Sequence, residues 1–216
     1  DPHVHVGRSP LGHRNWALFL YLGRIDSKKA IENLIEALNE AELFLPSDFQ
    51  LKIAGNAHNP YGIQLVELVR KLDLKHKVKF IGHIEGAAKQ KLLASAHFLF
   101  MPSHTENFGI VVAEALGQGT PAVASKQTPW SILAAKRAGF WVDNDVKSLA
   151  DCIDKILRLH PKEYEIICSN TRPLAVQEFD IQQNIHKWQE IYQILGKHRE
   201  TISSNNSNHI KLSQTK

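Results

Sequence analysis

Two carboxylates eight residues apart carry the first hint of chemistry in the sequence. They lie in HTENFGIVVAEALGQGTPAVAS, residues 104–125, where Glu106 and Glu114 bracket the apolar run FGIVVA. Glycines follow at 109, 117 and 119, and a proline at 121. Carboxylates accept hydrogen bonds from pairs of hydroxyls. Eight residues of helix rise roughly 12 Å, comparable to the span from a sugar across a diphosphate to a ribose. Gly109 near the helix start leaves opening backbone amides within reach of a ligand, and a phosphate suits that place. The competing reading gives Glu106 a favourable dipole contact only and leaves Glu114 in solvent. Against it stand Ile110, Val111, Val112, Ala113 and Ala115 around Glu114. A helix so apolar is expected to be buried on most sides, and a buried acid needs a partner.

A second constellation is GRIDSKKA, residues 23–30. Asp26 or Ser27 can cap the helix that follows. Lys28 and Lys29 then fall in its first turn, where the macrodipole disfavours cations. An anion bound there would relieve the conflict, with Arg24 across the same turn to help. The alternative is that both lysines face water at a cost of a few tenths of a kcal/mol each.

The elements that position these groups alternate regularly. Apolar runs at 17–23, 49–55, 78–82, 97–103, 120–125 and 139–142 read as strands, the first three closed by glycine. Helical spacing fills 27–43, 62–73, 86–95, the quoted motif, 130–138, 147–159 (led by Asp143 and Asn144), 161–176 and 180–195. This is an α/β pattern: a Rossmann-like, doubly wound parallel sheet of about six strands. Ligands bind beyond the carboxyl ends of such strands, where Gly23-Arg24, Gly55-Asn56, Gly82-His83 and residues 102–109 all fall. Residues 1–15 read as a linker, 16–199 as the folded domain and 200–216 as a disordered polar tail.

Composition narrows the class. The chain has 216 residues, 43% hydrophobic and 22% charged, with a formal charge of +4 that favours anionic partners. Its longest apolar run, WALFLYL at 16–22, is too short to span a bilayer, and the N-terminus lacks the pattern of a signal peptide. Two cysteines, Cys152 and Cys168, read as reduced thiols of a cytoplasmic protein. His3 and His5 form an H-x-H pair with no third ligand at metal-site spacing, so no metal is expected. No G-x-G-x-x-G follows the first strand, which argues against a dehydrogenase. Basic residues do not cluster with aromatics, so no nucleic-acid partner is expected.

PSHTENFGIVVAEALGQGTPAVAS resembles the signature of retaining glycosyltransferases of family 4, also called group 1. LFLYLGRIDSKKAIENLIEAL, LKIAGN, VKFIGHI and HFLFMPS resemble the family's first strand, Gly-Arg turn and helix, and then its next three strands. The resemblance runs from about Ala17 to Leu195. It implies the donor-binding C-terminal domain of a GT-B enzyme, a fold of two Rossmann-like domains. Arg24 and Lys29 would bind the donor diphosphate, and Glu106 would contact hydroxyls of the transferred sugar. Asn107, Phe108, Gly109 and Ile110 would present backbone amides, Glu114 would accept from the ribose hydroxyls, and Gly82 and His83 would border the base.

The implied reaction is metal-independent transfer of a sugar from a nucleotide-sugar donor, with retention, to a glycan or lipid-linked acceptor. Surface polysaccharide biosynthesis is the implied setting, with peripheral contact at the inner membrane face. No cofactor beyond the nucleotide diphosphate sugar substrate is implied. An N-terminal acceptor domain is expected as a partner and is absent from this sequence. The alternatives are a non-catalytic nucleotide-binding module or a GT-B sugar-nucleotide epimerase. The sequence departs from the family at Ala30, where glycine is common, and at KQTPWSIL (126–133), which replaces a frequent Gly-Gly-x-Pro-Glu turn. Trp130 there reads either as a sugar or base contact or as a packing residue.

Overall fold

The computed structural model describes residues 17–41, 45–180, 182, 184 and 185. The expected linker, the H-x-H pair, the tail and most of the helix expected at 180–195 lie outside these residues. Six strands form one parallel sheet: β1 (Leu18–Leu22), β2 (Gln50–Ala54), β3 (Val78–Gly82), β4 (Phe98–Met101), β5 (Ala122–Ser125) and β6 (Gly139–Val142). Their order is β3-β2-β1-β4-β5-β6. The order reverses between β1 and β4, which pair through Phe19 with Phe98 and Leu20 with Leu99. A crevice opens at such a reversal because the chain leaves the two neighbouring strands in opposite directions.

The helices are α1 (Ile31–Glu40), α2 (Pro60–Lys71), α3 (Gly86–Ser95), α4 (Ile110–Gly117), α5 (Ile132–Ala135), α6 (Val146–Leu157) and α7 (Pro161–Phe179). α1 buries Ile31, Leu34, Ile35 and Leu38 along one stripe, and α6 buries Leu149, Ile153 and Ile156 along another. The two helices pack against each other. Beneath them Phe19 of β1 meets Phe49 edge-on at 5.0 Å and lies 4.8 Å from the Phe100 ring, measured between centroids. Each ring of this kind removes an apolar face from water and gains from edge or offset contact. α3 packs against α4, over the crevice.

Among the described residues, those up to Ala175 form one compact unit and those from Val176 another. In the second, the Asn184 amide donates to the carbonyls of Gln177 and Asp180.

The starts of α2 and α6 depend on side chains. Asn59 accepts from the Gly62 amide at 2.8 Å and, with Pro60 in the first turn, opens α2. Asp145, not Asp143 or Asn144, opens α6 by accepting from Ser148 N at 2.9 Å. That bond holds the Asp145 carboxyl below its ordinary range. Asp143 instead pairs with Lys126 at 2.7 Å.

The start of α1 differs most from expectation. Lys28 and Lys29 do not occupy its first turn. Ser27–Lys29 form a separate 3-10 turn capped by Asp26, which accepts from Lys28 N at 3.0 Å. Ala30 then takes a left-handed conformation (φ 47°), and α1 begins only at Ile31. The Ile31 amide donates to the Tyr61 hydroxyl at 2.9 Å, and that hydroxyl donates in turn to Glu32. Burial, then the Glu32 contact, raises the Tyr61 phenol above its ordinary range. The opening amide of α1 therefore already has a partner, and the reason given for an anion at that terminus falls away.

Candidate donor-binding site

A cavity of about 480 Å³ lies over the sheet reversal. Arg24, Lys29, Glu106, Asn107, Phe108, Gly109, Ile110 and Glu114 all line it, together with Tyr21, Lys89 and Ser103. The two constellations of the sequence are thus neighbours in space. A second cavity of about 400 Å³ adjoins it along Leu22, Gly23 and Arg24 and extends to Asn56 and His83. His83 is therefore one cavity away from Glu114. Gly82 lines neither; its carbonyl accepts from Gly55 N at 2.8 Å at the ends of β2 and β3.

β1 delivers the cationic turn. The buried Tyr21 hydroxyl donates to the Arg24 carbonyl at 2.6 Å, closing the turn that leaves the strand. Burial first, then the phenol of Tyr61 and the carboxylate of Glu106, pushes the Tyr21 phenol well above its ordinary range. Lys29, 14% exposed, reaches across to form an ion pair and hydrogen bond with Glu106, 21% exposed. Arg24 is exposed and has no carboxylate partner among the described residues.

β4 delivers the acidic loop. Its course is pinned by contacts from four separate segments. His104 N donates to the Lys28 carbonyl at 2.9 Å, and Ser125 Oγ donates to the Ser103 carbonyl at 2.5 Å. The Asn144 amide donates to the Pro102 carbonyl at 3.2 Å and contacts His104 Nδ1 at 2.9 Å. Trp130 Nε1 donates to the Phe108 carbonyl, and the two rings lie 5.4 Å apart. Trp130 is 1% exposed, so it packs and clamps the loop and does not line the cavity.

Gly109 caps α4 with φ 76°. A Cβ there would meet the flexible Met101 side chain, with Sδ at 2.5 Å, and the left-handed backbone itself favours glycine. Ile110 and Val111 follow as the first residues of α4, and amides in a first turn have no carbonyl within the helix to bond. Glu114 lies one turn further along, 31% exposed, and Lys89 of α3 pairs with it at 2.5 Å. Glu114 is thus half-buried and has the partner such a position requires.

The cavity collects three cations and two carboxylates, which leaves a net positive charge opposite backbone amides. Such a place suits a polyanion that also carries hydroxyls. The sequence reading missed Lys89, Ser103, Tyr21 and Asn144. Lys89 and Lys91 lie two apart on α3, and nothing in their spacing says that only Lys89 turns toward α4.

Comparison with known proteins places the chain in a family. A curated relative, an uncharacterised glycosyltransferase of Methanocaldococcus jannaschii, is 34% identical over 143 residues, 65% of this chain and 35% of its own length. Among solved structures, sucrose-phosphate synthase from Thermosynechococcus elongatus superposes with a TM-score of 0.72 at 26% identity, over 84% of this chain and 46% of the synthase. Anabaena HepE in complex with UDP and glucose gives 0.71 at 25% identity, over 85% of this chain and 49% of HepE. The chain thus spans about a third of that curated relative and just under half of each of these solved ones. Residues 10–172 match the family described as "Glycosyl transferases group 1", and the chain belongs to that family, with the parallel α/β sheet of its GT-B members.

Proposed function

We propose that this chain is the donor-binding part of an enzyme that moves a sugar from a nucleoside diphosphate sugar to a glycan or lipid-linked acceptor. The observation that carries the reading is the single cavity in which Lys29, Arg24, Glu106, Glu114 and the α4 N-terminus meet. UDP and glucose bound to the related Anabaena protein support the ligand class.

As the donor bond breaks, negative charge grows on the diphosphate. Lys29 and Arg24, with the α4 amides, stabilise that charge without a metal ion. Glu106 accepts from hydroxyls of the transferred sugar and fixes its anomeric carbon; it is a positioning group and not a nucleophile. In the resting site Glu106 also holds Lys29. A phosphate arriving at Lys29 takes one of its three N–H donors while another stays on Glu106, so sugar and phosphate ends are coupled through one ion pair. Retention at the anomeric carbon, an N-terminal acceptor domain, and work on surface polysaccharide at the cytoplasmic membrane face complete the proposal. Their support is the sequence resemblance.

Calorimetry of the chain against UDP, GDP and ADP, each bare and as its glucose conjugate, tests the reading. Tighter binding of one conjugate than of its bare nucleotide is expected. Equal affinity for both would favour a nucleotide-binding module, and conversion of the donor to its epimer with no acceptor would favour an epimerase.

A further inference from the structure

Lys89 has no role in the reading above, yet it lines the same cavity and is bonded to a residue assigned to the ligand. It comes from α3, whose only buried residue is Leu93. A lysine on so exposed a helix would ordinarily extend into water. Here the side chain is 28% exposed and turns onto α4, where Nζ sits 2.5 Å from Glu114 Oε1. Lys91, two positions on, is exposed. The pair thus joins the two helices at the wall of the cavity.

We propose that Lys89 is a specificity-determining residue: beside Glu114, whose place at the donor's ribose the sequence resemblance implies, it donates to one hydroxyl of the vicinal diol. The inference rests on the nucleoside diphosphate reading of the cavity. A lone carboxylate has two oxygens and can accept from both hydroxyls of a diol. In this chain Oε1 already receives a charge-assisted bond from Lys89. Oε2 then accepts from one ribose hydroxyl, and Lys89 Nζ, with further N–H donors, donates to the other. A donor beside an acceptor fits a diol in which one oxygen gives its proton and its neighbour accepts one. The ammonium also offsets the repulsion between Glu114 and an incoming diphosphate.

A ligand-deletion cycle tests this. UDP, GDP and ADP, each as ribonucleotide, 2′-deoxy and 3′-deoxy form, are titrated calorimetrically into the wild-type chain, Lys89→Met and Lys89→Arg. Wild type is expected to lose roughly tenfold in affinity when one of the two hydroxyls is removed. In Lys89→Met the ribonucleotide should bind roughly tenfold more weakly, and deletion of that hydroxyl should then cost little. Lys89→Arg should restore much of the hydroxyl's contribution. A full hydroxyl penalty in Lys89→Met overturns the inference and leaves the nucleotide reading intact. Failure of the wild-type chain to bind any ribonucleotide overturns both.

Discussion

The indole N–H of Trp130 bonds to the backbone carbonyl of Phe108, and the two rings pack against each other. The residue stands in the Thr-Pro-Trp turn between β5 and α5, twenty-two positions from the loop that it holds. Its contact lies beside the carbonyl–amide sequence that leads into Gly109 and α4. Trp130→Phe keeps an aromatic ring and removes the donor. The expected loss is about 1–2 kcal/mol, a fall of roughly 2–8 °C in melting temperature for a chain of this size. Calorimetry should also show weaker nucleotide binding. An unchanged melting curve with unchanged affinity would remove the clamp from the account.

Lys29→Ala and Glu106→Ala bear on turnover. In an enzyme carrying this domain together with an acceptor domain, each should reduce transfer by at least about a hundredfold, the scale for loss of one transition-state contact. Both side chains are partly exposed, so circular dichroism should report an intact fold. Wild-type turnover in both variants would reject the assigned roles.

Ala30 and Gly109 share a left-handed backbone and should respond in opposite directions. For Ala30→Gly, relief of strain outweighs the added chain entropy, and stability should rise by about 0.5–1 kcal/mol. Gly109→Ala brings a Cβ against Met101 and should lose about 1–3 kcal/mol together with nucleotide affinity. Urea denaturation of the two variants measures both signs. A less stable Ala30→Gly would mean that the alanine methyl contributes more by packing than its backbone loses.

Alkaline pH should unfold the chain early. Burial pushes the Cys152 thiol up to about 12 from 9.0, and burial likewise raises the phenols of Tyr21 and Tyr61. The folded chain keeps protons that the unfolded chain releases. Stability is therefore fully present below the unfolded values and falls as pH rises past about 9–10. Cys152→Ala removes one of the three groups and should flatten the decline between pH 9 and 12 in urea midpoints. Equal slopes would place the thiol in contact with water.

The strands were legible because a fully buried parallel sheet writes short apolar runs, and glycine closes several of them. Val78–Gly82 matches the sequence reading at both bounds. β4 is shorter than its apolar run of 97–103. At its start the His97 ring, and not a backbone carbonyl, accepts from Leu18 N, and at its end Pro102 has no amide for a ladder. Arg24, Lys29, Glu106 and Glu114 were legible as a set because all four follow or face strand ends at the sheet reversal. The turn before α1 was not. An alanine gives no sign of positive φ, and two lysines after Asp26 look like the opening of a helix. Lys89 and Asn144 were hidden for another reason: each meets its partner across long sequence separations, 25 and 42 residues, which no local periodicity records.

Tyr61 has one more consequence. It lies thirty residues beyond the amide that it satisfies, on the next helix. A peptide cut to residues 27–43 would lack that hydroxyl and would carry a helix of only about three turns, too short to hold itself in water. The first strand-helix unit can acquire its helix only as the second docks beside it. Early assembly of this half of the sheet is therefore a joint event between two supersecondary units, and fragments that separate them should be largely coil.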